Sequence, residues 1–153
     1  MTPALLPIEH IQQRSDGDCI AACAAMILKY MGIAVGYERL LALLRTSPIG
    51  AASFRVRELE HLGITVVYKQ GDLAELHRHL LSDRPCIAFV KSSELPYSNL
   101  SINHAVVVSG IDDELIYLND PDLDYAPVAV SHGDFGLAWL ERDEYYAAFL
   151  HRD

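Results

Sequence analysis

Apolar positions in the first half of the chain recur at the spacing of helices. Residues 19–31 are apolar almost all round, which predicts a helix buried at the centre of the fold. Asp18 is a suitable N-cap for this helix, and Gly32 is a suitable residue just beyond its end. Ser53 and Asp72 are placed to cap two later helices. The same periodicity predicts further helices at residues 37–45, 54–61 and 73–81.

The hydrophobic pattern changes to short runs rich in β-branched residues in the second half. Asp112 and Asp113 separate two of these runs, which predicts a hairpin. A short helix is expected over residues 135–140, whereas residues 145–150 fit a strand or a helix, and we favour the strand. Helices come mainly before strands, so the order predicts an α+β fold with a mostly antiparallel sheet. The predicted strands are residues 64–69, 85–91, 104–111, 115–120, 125–130 and 145–150.

Length and composition are those of an ordinary globular protein. The chain has 153 residues, of which 51% are hydrophobic and 22% charged. No repeat or long linker divides it, so we expect one domain over residues 1–153. The longest apolar run is about half of the roughly 20 residues that a membrane span needs. The first ten residues do not resemble a secretory signal, and we expect a cytoplasmic protein.

The charge balance limits the classes of partner. The formal net charge is -9, and the Lys and Arg residues are scattered along the chain. Such a protein would repel phosphate backbones, so nucleic acid is not expected as a partner.

Three cysteines are too few for a disulfide scaffold of this size. Cys23 and Cys86 lie in apolar stretches, where a small buried side chain is expected. Cys19 and Cys23 share a helix face, but two thiols do not complete a zinc site, and we expect no metal. Cys19 differs because it follows the polar run Asp-Gly-Asp at the predicted start of the helix.

Cys19 is the candidate nucleophile. Cysteine catalysis needs a thiolate, a base beside it and a group that orients the base. The dipole and free N–H groups at a helix start favour the thiolate. His104 begins one strand of the predicted hairpin, and Asp120 ends the other. Antiparallel neighbours lie about 4.8 Å apart, so the carboxylate of Asp120 can orient the imidazole of His104 beside Cys19.

An oxyanion site is also expected near the start of the helix. Acyl transfer requires hydrogen-bond donors directed at the developing oxyanion. Gln13 precedes Cys19 by six residues, on the loop that leads into the helix. The side-chain amide of Gln13 and the backbone N–H of Cys19 are therefore the predicted donors.

Two segments resemble one family of peptidases. Residues 13–32 are similar to the active-site helix of the bacteriocin-leader-processing cysteine peptidases, a papain-like family found in peptide-exporting ABC transporters and as stand-alone proteins. Residues 104–121 resemble that family's His-Ala-Val-Val and Asn-Asp-Pro segments. Phe135 and Trp139 match a Phe-x-x-x-Trp near the family's end. Ile20 is a departure, because the family usually has Gly beside the cysteine.

The resemblance implies a fold, an activity and a site. The fold is papain-like, with an N-terminal helical half packed on a C-terminal antiparallel sheet. The activity is a cofactor-free thiol endopeptidase cleaving after small residues, of the Gly-Gly type, in a leader peptide or protein, and associated with an exporter. Cys19, His104 and Asp120 take the triad roles, and Gln13 the oxyanion role. The bulkier Ile20 is expected to alter specificity.

Other interpretations of the same residues stay open. A degenerate peptide-binding module would keep the fold but tends to lose the cysteine and histidine. A papain-like effector with deamidase or acyltransferase activity would use the same triad on another substrate. Asp120, Asp122 and Asp124 alternate as calcium ligands can, but the glycine and glutamate of an EF-hand loop are missing. His77 and His79 lie on different faces of a predicted helix and are expected to be solvated.

Overall fold

A seven-stranded antiparallel sheet runs through the centre of the molecule. The computed structural model describes residues 1–152. The strands follow the order β2-β7-β3-β4-β5-β6, and β1 pairs with β4 beside this path. The strands are β1 (Ala4–Leu5), β2 (Ile64–Gln70), β3 (Cys86–Lys91), β4 (Asn103–Ile111), β5 (Leu115–Asn119), β6 (Val128–Ser131) and β7 (Tyr145–His151).

Helices cover both faces of this sheet. Successive residues of a strand point to opposite faces, and the buried residues of β3, β4 and β7 divide accordingly into two hydrophobic cores. One core packs against α1 and α2, and the other against α3 and α4. The α-helices are α1 (Cys19–Tyr30), α2 (Tyr37–Leu43), α3 (Leu73–Leu81) and α4 (His132–Leu140), and two 3-10 helices span Ser53–Leu62 and Ser92–Glu94.

The predicted α+β class with an antiparallel sheet is confirmed. The strand favoured at residues 145–150 is present as β7, which pairs with β2 and β3. The side chain of Asp72 caps α3 as expected, because it accepts a hydrogen bond from the Glu75 N–H at 2.8 Å. Gly32 follows α1 with a positive φ of 77°, the conformation that glycine adopts most readily at a helix end.

Other local predictions were wrong. The helix predicted at residues 54–61 is present as the 3-10 helix Ser53–Leu62, but Ser53 does not cap it. The Ser53 hydroxyl instead lies 2.7 Å from the Tyr68 hydroxyl. Residues 125–127 lie outside β6, which begins at Val128, and α4 begins three residues earlier than predicted because Ser131 caps it.

The N-terminal segment runs along the β4–β5 hairpin. Its first part forms β1, which pairs with the end of β4. Further on, the side chain of Asn119 donates to the Ile8 carbonyl at 3.1 Å, and the Gln13 N–H donates to the Pro121 carbonyl at 2.8 Å. The loop that leads into α1 is therefore attached to the end of the hairpin.

Candidate active site

The start of α1 places Cys19 beside β4, the strand that begins with Asn103 and His104. Cys19 is the first residue of the helix and is partly exposed. Cys23 and Cys86 are fully buried, and burial raises the pKa of both thiols. Among the three cysteines, Cys19 therefore has the thiol that solvent and substrate can reach.

The β4–β5 hairpin brings His104 and Asp120 together. Val107 lies opposite Asn119 in the register, so Asp120 follows the end of β5 beside the start of β4. The Nε2 atom of His104 lies 2.6 Å from Oδ1 of Asp120, and both side chains are buried. The Cys19 thiol lies close enough to the imidazole to raise the pKa of His104. Because Nε2 is engaged by Asp120, Nδ1 is the ring nitrogen available to the sulfur.

The electrostatics of the His104–Asp120 pair favour the imidazolium of His104 and the carboxylate of Asp120. Burial alone would lower the pKa of His104, but hydrogen bonds and charge interactions with Asp120 and Cys19 raise it to about 10. Burial would raise the pKa of Asp120, but hydrogen bonds from His104, Tyr97 and the Asp122 N–H lower it below its ordinary value. An imidazolium held by a carboxylate is the form that stabilises a neighbouring thiolate.

Tyr97 completes the surroundings of Asp120, and sequence reasoning missed it. The Tyr97 hydroxyl donates a 2.6 Å hydrogen bond to Oδ2 of Asp120, the oxygen that His104 does not use. Burial and the neighbouring carboxylate raise the pKa of Tyr97, so the hydroxyl stays protonated as a donor. Tyr97 lies in the loop between β3 and β4, where the sequence contains no periodic pattern that would reveal the contact.

Asp18 organises the loop before the cysteine instead of capping α1. The structure corrects the predicted cap, because the Asp18 side chain makes no hydrogen bond to the helix. The carboxylate accepts hydrogen bonds from the Arg14 N–H at 3.1 Å and the Ser15 N–H at 2.8 Å. It also accepts one from the buried Tyr37 hydroxyl. Burial would raise the pKa of Asp18, but these hydrogen bonds lower it, so the loop is folded around a carboxylate.

Gln13 lies on this folded loop. Its Nε2 donates to the Ser15 carbonyl at 3.0 Å, which fixes the orientation of the amide. An amide nitrogen has two hydrogens, so one donor of Gln13 is left over from this contact. The Oε1 atom is buried without a hydrogen-bond partner.

The side chain of Ile20 is turned into the protein. Ile20 is 5% exposed and belongs to the core that packs against α1 and α2. The bulkier residue beside Cys19 therefore adds to the core.

Comparison with known proteins identifies the family. The model of the Peptidase C39 family matches residues 8–142, which is most of the chain. The chain belongs to the Peptidase C39 family.

This C39 chain is related to a much longer protein. It is 31% identical over 113 residues to the lactococcin-G-processing and transport ATP-binding protein LagD of Lactococcus lactis. The match covers 72% of the chain but 15% of LagD, so the chain spans a small part of that relative.

Solved structures share the fold of this C39 chain. A C39-like peptidase from Bacillus anthracis superposes with a TM-score of 0.84 at 21% identity, covering 100% of both chains. A double-glycine-motif protease from an AMS/PCAT transporter, in complex with its leader peptide, superposes with a TM-score of 0.78 at 20% identity, covering 99% of both chains. At these identities, the likeness shows the fold.

Two alternatives considered from the sequence were a calcium site that includes Asp120 and a solvated His79. Both side chains make contacts within the protein. The carboxylate of Asp120 is engaged by His104 and Tyr97, and residues 1–152 contain no group of three potential ligands arranged to hold a metal. His79 packs against Tyr146, and its Nε2 lies 3.0 Å from the Tyr146 hydroxyl. Within the same residues, no helix is long and apolar enough to cross a membrane.

Arg142 is a second residue that sequence reasoning missed. It lies in the turn between α4 and β7, and its Nη1 is 3.4 Å from the carbonyl oxygen of His104. Its guanidinium carbon lies 5.8 Å from the centre of the Phe89 ring. A cationic side chain therefore borders the Cys19–His104 pair.

Proposed function

We propose that this C39 family member is a cysteine endopeptidase that cleaves a leader peptide or protein after small residues, of the Gly-Gly type. The supporting observation is the position of His104, whose buried imidazole is hydrogen-bonded to the Asp120 carboxylate and lies near the Cys19 thiol. Cys19 is the nucleophile in this proposal, His104 its acid and base, and Asp120 the residue that orients the ring.

The proposed reaction has two halves. The Cys19 thiolate attacks the scissile carbonyl, and the oxyanion accepts hydrogen bonds from the free Nε2 hydrogen of Gln13 and the Cys19 N–H. The His104 imidazolium then gives its proton to the leaving amine, and the C–N bond breaks to leave a thioester on Cys19. Water next gives a proton to His104 and attacks the thioester, and the C–S bond breaks to release the carboxylic acid and to restore the Cys19 thiolate beside the His104 imidazolium.

The arrangement of the loop supports the role of Gln13. The hydrogen bond from Gln13 to the Ser15 carbonyl uses one hydrogen of the amide and holds its plane. A preorganised donor costs little reorganisation when charge develops on the substrate oxygen. The Asp18 carboxylate fixes the same loop from within.

The choice of substrate rests on relatives. LagD is named for both processing and transport, and the structurally similar double-glycine-motif protease binds a leader peptide. We infer a peptide with small residues before the scissile bond, and action in the cytoplasm in association with an exporter.

A cleavage assay tests the proposal. Peptides of about 20 residues that end in Gly-Gly followed by a reporter segment are incubated with the protein, and products are identified by mass spectrometry. We expect cleavage after the second glycine and loss of cleavage in Cys19→Ala. Cys23→Ala is the matched control, because it removes the buried thiol one turn further along α1 and is expected to retain cleavage.

The assay also separates the rival functions. Binding of these peptides without cleavage would contradict the endopeptidase and favour a binding module. Conversion of a glutamine side chain in a protein substrate, without cleavage of the backbone, would favour a deamidase.

A further inference from the structure

The turn that carries Arg142 is held in place from both sides. The N–H of Arg142 donates to the Trp139 carbonyl at 3.0 Å. The Gln70 side chain donates to the Asp143 carbonyl, and the Gly71 N–H donates to the Glu144 carbonyl, each at 3.0 Å. The backbone position of Arg142 is therefore fixed by α4 and by the end of β2.

This turn also stores backbone strain. Asp143 and Glu144 have positive φ angles of 61° and 59°, although neither is glycine. Such conformations are unfavourable for residues other than glycine and cluster at functional sites. The strain directly follows Arg142, so the unfavourable backbone occurs beside the residue that borders the candidate active site.

The guanidinium of Arg142 has no carboxylate partner within residues 1–152. No ion pair between described residues includes Arg142, even though Asp143 and Glu144 are adjacent in sequence. Among the same residues, its guanidinium makes one hydrogen bond, the 3.4 Å contact to the His104 carbonyl, which leaves most of its five donors unused. A partly buried arginine normally pairs with an acid, because desolvation of an uncompensated charge is unfavourable.

The surroundings of Arg142 are aromatic and close to the sulfur. Phe89 lies under the guanidinium, and Tyr68 packs against Phe89 with ring centres 5.7 Å apart. Burial lowers the pKa of Arg142, while the nearby Cys19 and Tyr68 raise it. Apolar rings exclude water, so an anion that reached this guanidinium would be bound more strongly than at an open surface.

We propose that Arg142 forms a carboxylate-binding subsite beside Cys19, which selects substrates that carry a carboxylate close to the scissile bond. A planar guanidinium presents paired N–H donors that match the two oxygens of a carboxylate. This subsite rests on the proposed peptidase function and narrows its substrate class. The carboxylate has two sources, the side chain of an Asp or Glu residue and the free C-terminus of a short peptide.

Affinity labels test the subsite without requiring peptide cleavage. Iodoacetyl-glutamate amide and iodoacetyl-glutamine amide deliver the same alkylating group to Cys19 and differ in the side-chain carboxylate. Iodoacetyl-glycine and iodoacetyl-glycinamide differ in the terminal carboxylate. Rates of Cys19 labelling are measured by mass spectrometry for the wild type, Arg142→Gln and Arg142→Lys. Arg39→Gln is the matched control, because it removes an exposed arginine from α2.

We expect one acidic reagent to label Cys19 about tenfold faster than its neutral partner, the discrimination given by one charge-assisted hydrogen-bonded pair. Faster labelling by iodoacetyl-glutamate amide would identify an acidic side chain as the source of the carboxylate, and faster labelling by iodoacetyl-glycine would identify a free C-terminus. The preference should disappear in Arg142→Gln, remain in part in Arg142→Lys, and be unchanged in Arg39→Gln.

Each of three results would overturn the subsite. The first is equal labelling by acidic and neutral reagents in the wild type, which includes the case in which no reagent labels Cys19. The second is a preference that survives in Arg142→Gln. The third is an equal slowing of all reagents in a variant whose thermal unfolding is unchanged. If Arg142→Gln does not fold, the labelling rates of the acidic and neutral reagents in the wild type and in Arg142→Lys decide whether the subsite exists. Failure of the peptide cleavage assay would count against the proposed peptidase and would leave these labelling rates unaffected.

Discussion

The Gln13 N–H donates a 2.8 Å hydrogen bond to the Pro121 carbonyl, which joins the loop before Cys19 to the residue after Asp120. The proposed oxyanion donor and the proposed orienting carboxylate are thus connected through the backbone. Displacement of either segment is expected to disturb both. This connection explains why the geometry of the site depends on residues that do not contact the sulfur.

Gly17 lies where the loop before Cys19 passes closest to its neighbour. A Cβ atom at Gly17 would lie 2.5 Å from the Ser47 carbonyl and 2.8 Å from the Pro48 carbonyl. Gly17→Ala is therefore expected to displace the loop, lower the free energy of unfolding by about 1–3 kcal/mol and reduce kcat/KM for peptide cleavage. Gly36→Ala is the control, since its Cβ would meet nothing within 4 Å. Equal effects of both substitutions on denaturation and on activity would contradict this account.

Tyr97 is expected to act as a positioning residue through Asp120. Tyr97→Phe removes the 2.6 Å hydrogen bond to Oδ2 and leaves a buried oxygen without that donor. Because this hydrogen bond lowers the pKa of Asp120, the acidic decline of kcat/KM should begin at a higher pH in the variant. At neutral pH, kcat/KM should fall about fivefold to tenfold.

Tyr117→Phe is the matched control for Tyr97→Phe. The Tyr117 hydroxyl also donates to an aspartate, at 2.8 Å to Asp112, but at the opposite end of the hairpin. The control should leave the pH profile of kcat/KM unchanged. An acidic limb that is identical in Tyr97→Phe and the wild type would argue against the positioning role.

Asp120 should determine the alkaline limit of activity. Because the fold raises the pKa of His104, the imidazolium contributes to the free energy of unfolding below pH 6.5. This contribution is lost as the pH rises through about 10. Activity that depends on the imidazolium should decline over the same upper range. In Asp120→Asn the burial of the ring remains but the carboxylate charge is gone, so both declines should move to lower pH.

The pH dependence of kcat/KM and of urea unfolding measures this effect of Asp120. Asp122→Asn removes an exposed carboxylate two residues away and should leave both profiles in place. The interpretation fails if Asp120→Asn and Asp122→Asn give the same alkaline limb.

The hydrogen bond between Tyr37 and Asp18 is expected to stabilise the fold of the loop. Tyr37→Phe removes a donor from a buried carboxylate and should lower the free energy of unfolding by about 1–3 kcal/mol. The fold lowers the pKa of Asp18. Its carboxylate therefore contributes to the free energy of unfolding at pH values above the ordinary carboxyl pKa, and this contribution is lost as the pH falls. The difference between Tyr37→Phe and the wild type in urea unfolding should therefore shrink in acid. A difference that is constant from neutral to acidic pH would contradict this role.

Much of the fold was predictable because its elements have strong local patterns. Helix α1 is apolar all round, and strands β3 and β4 are continuous β-branched or apolar runs. The helix predicted at residues 54–61 is a 3-10 helix, a distinction that the sequence does not make because apolar spacing suits both kinds of helix. Strand β1, with two residues, has no periodicity of its own and depends on β4 for pairing.

Cys19, His104 and Asp120 could be proposed from the sequence because each has a distinct chemical type at the end of a regular element. His104 and Asp120 lie at neighbouring ends of a hairpin, as antiparallel pairing predicts, and a bulge between Val108 and Gly110 shifts their register by one residue. Tyr97 and Arg142 come from a loop and a turn, and their contacts arise from tertiary packing. The role of Asp18 was misjudged because its sequence position suits a cap, whereas burial beside Tyr37 turns its carboxylate toward the loop.

Alkylation of Cys19 tests the central claim that His104 activates this sulfur. Labelling by iodoacetamide at about pH 5.5, well below the ordinary thiol range near 8.5, reports the thiolate. We expect rapid modification of Cys19, little modification of the buried Cys23 and Cys86, and strong slowing of Cys19 labelling in His104→Ala. Equal labelling rates of Cys19 in the wild type and His104→Ala at this pH would contradict this claim.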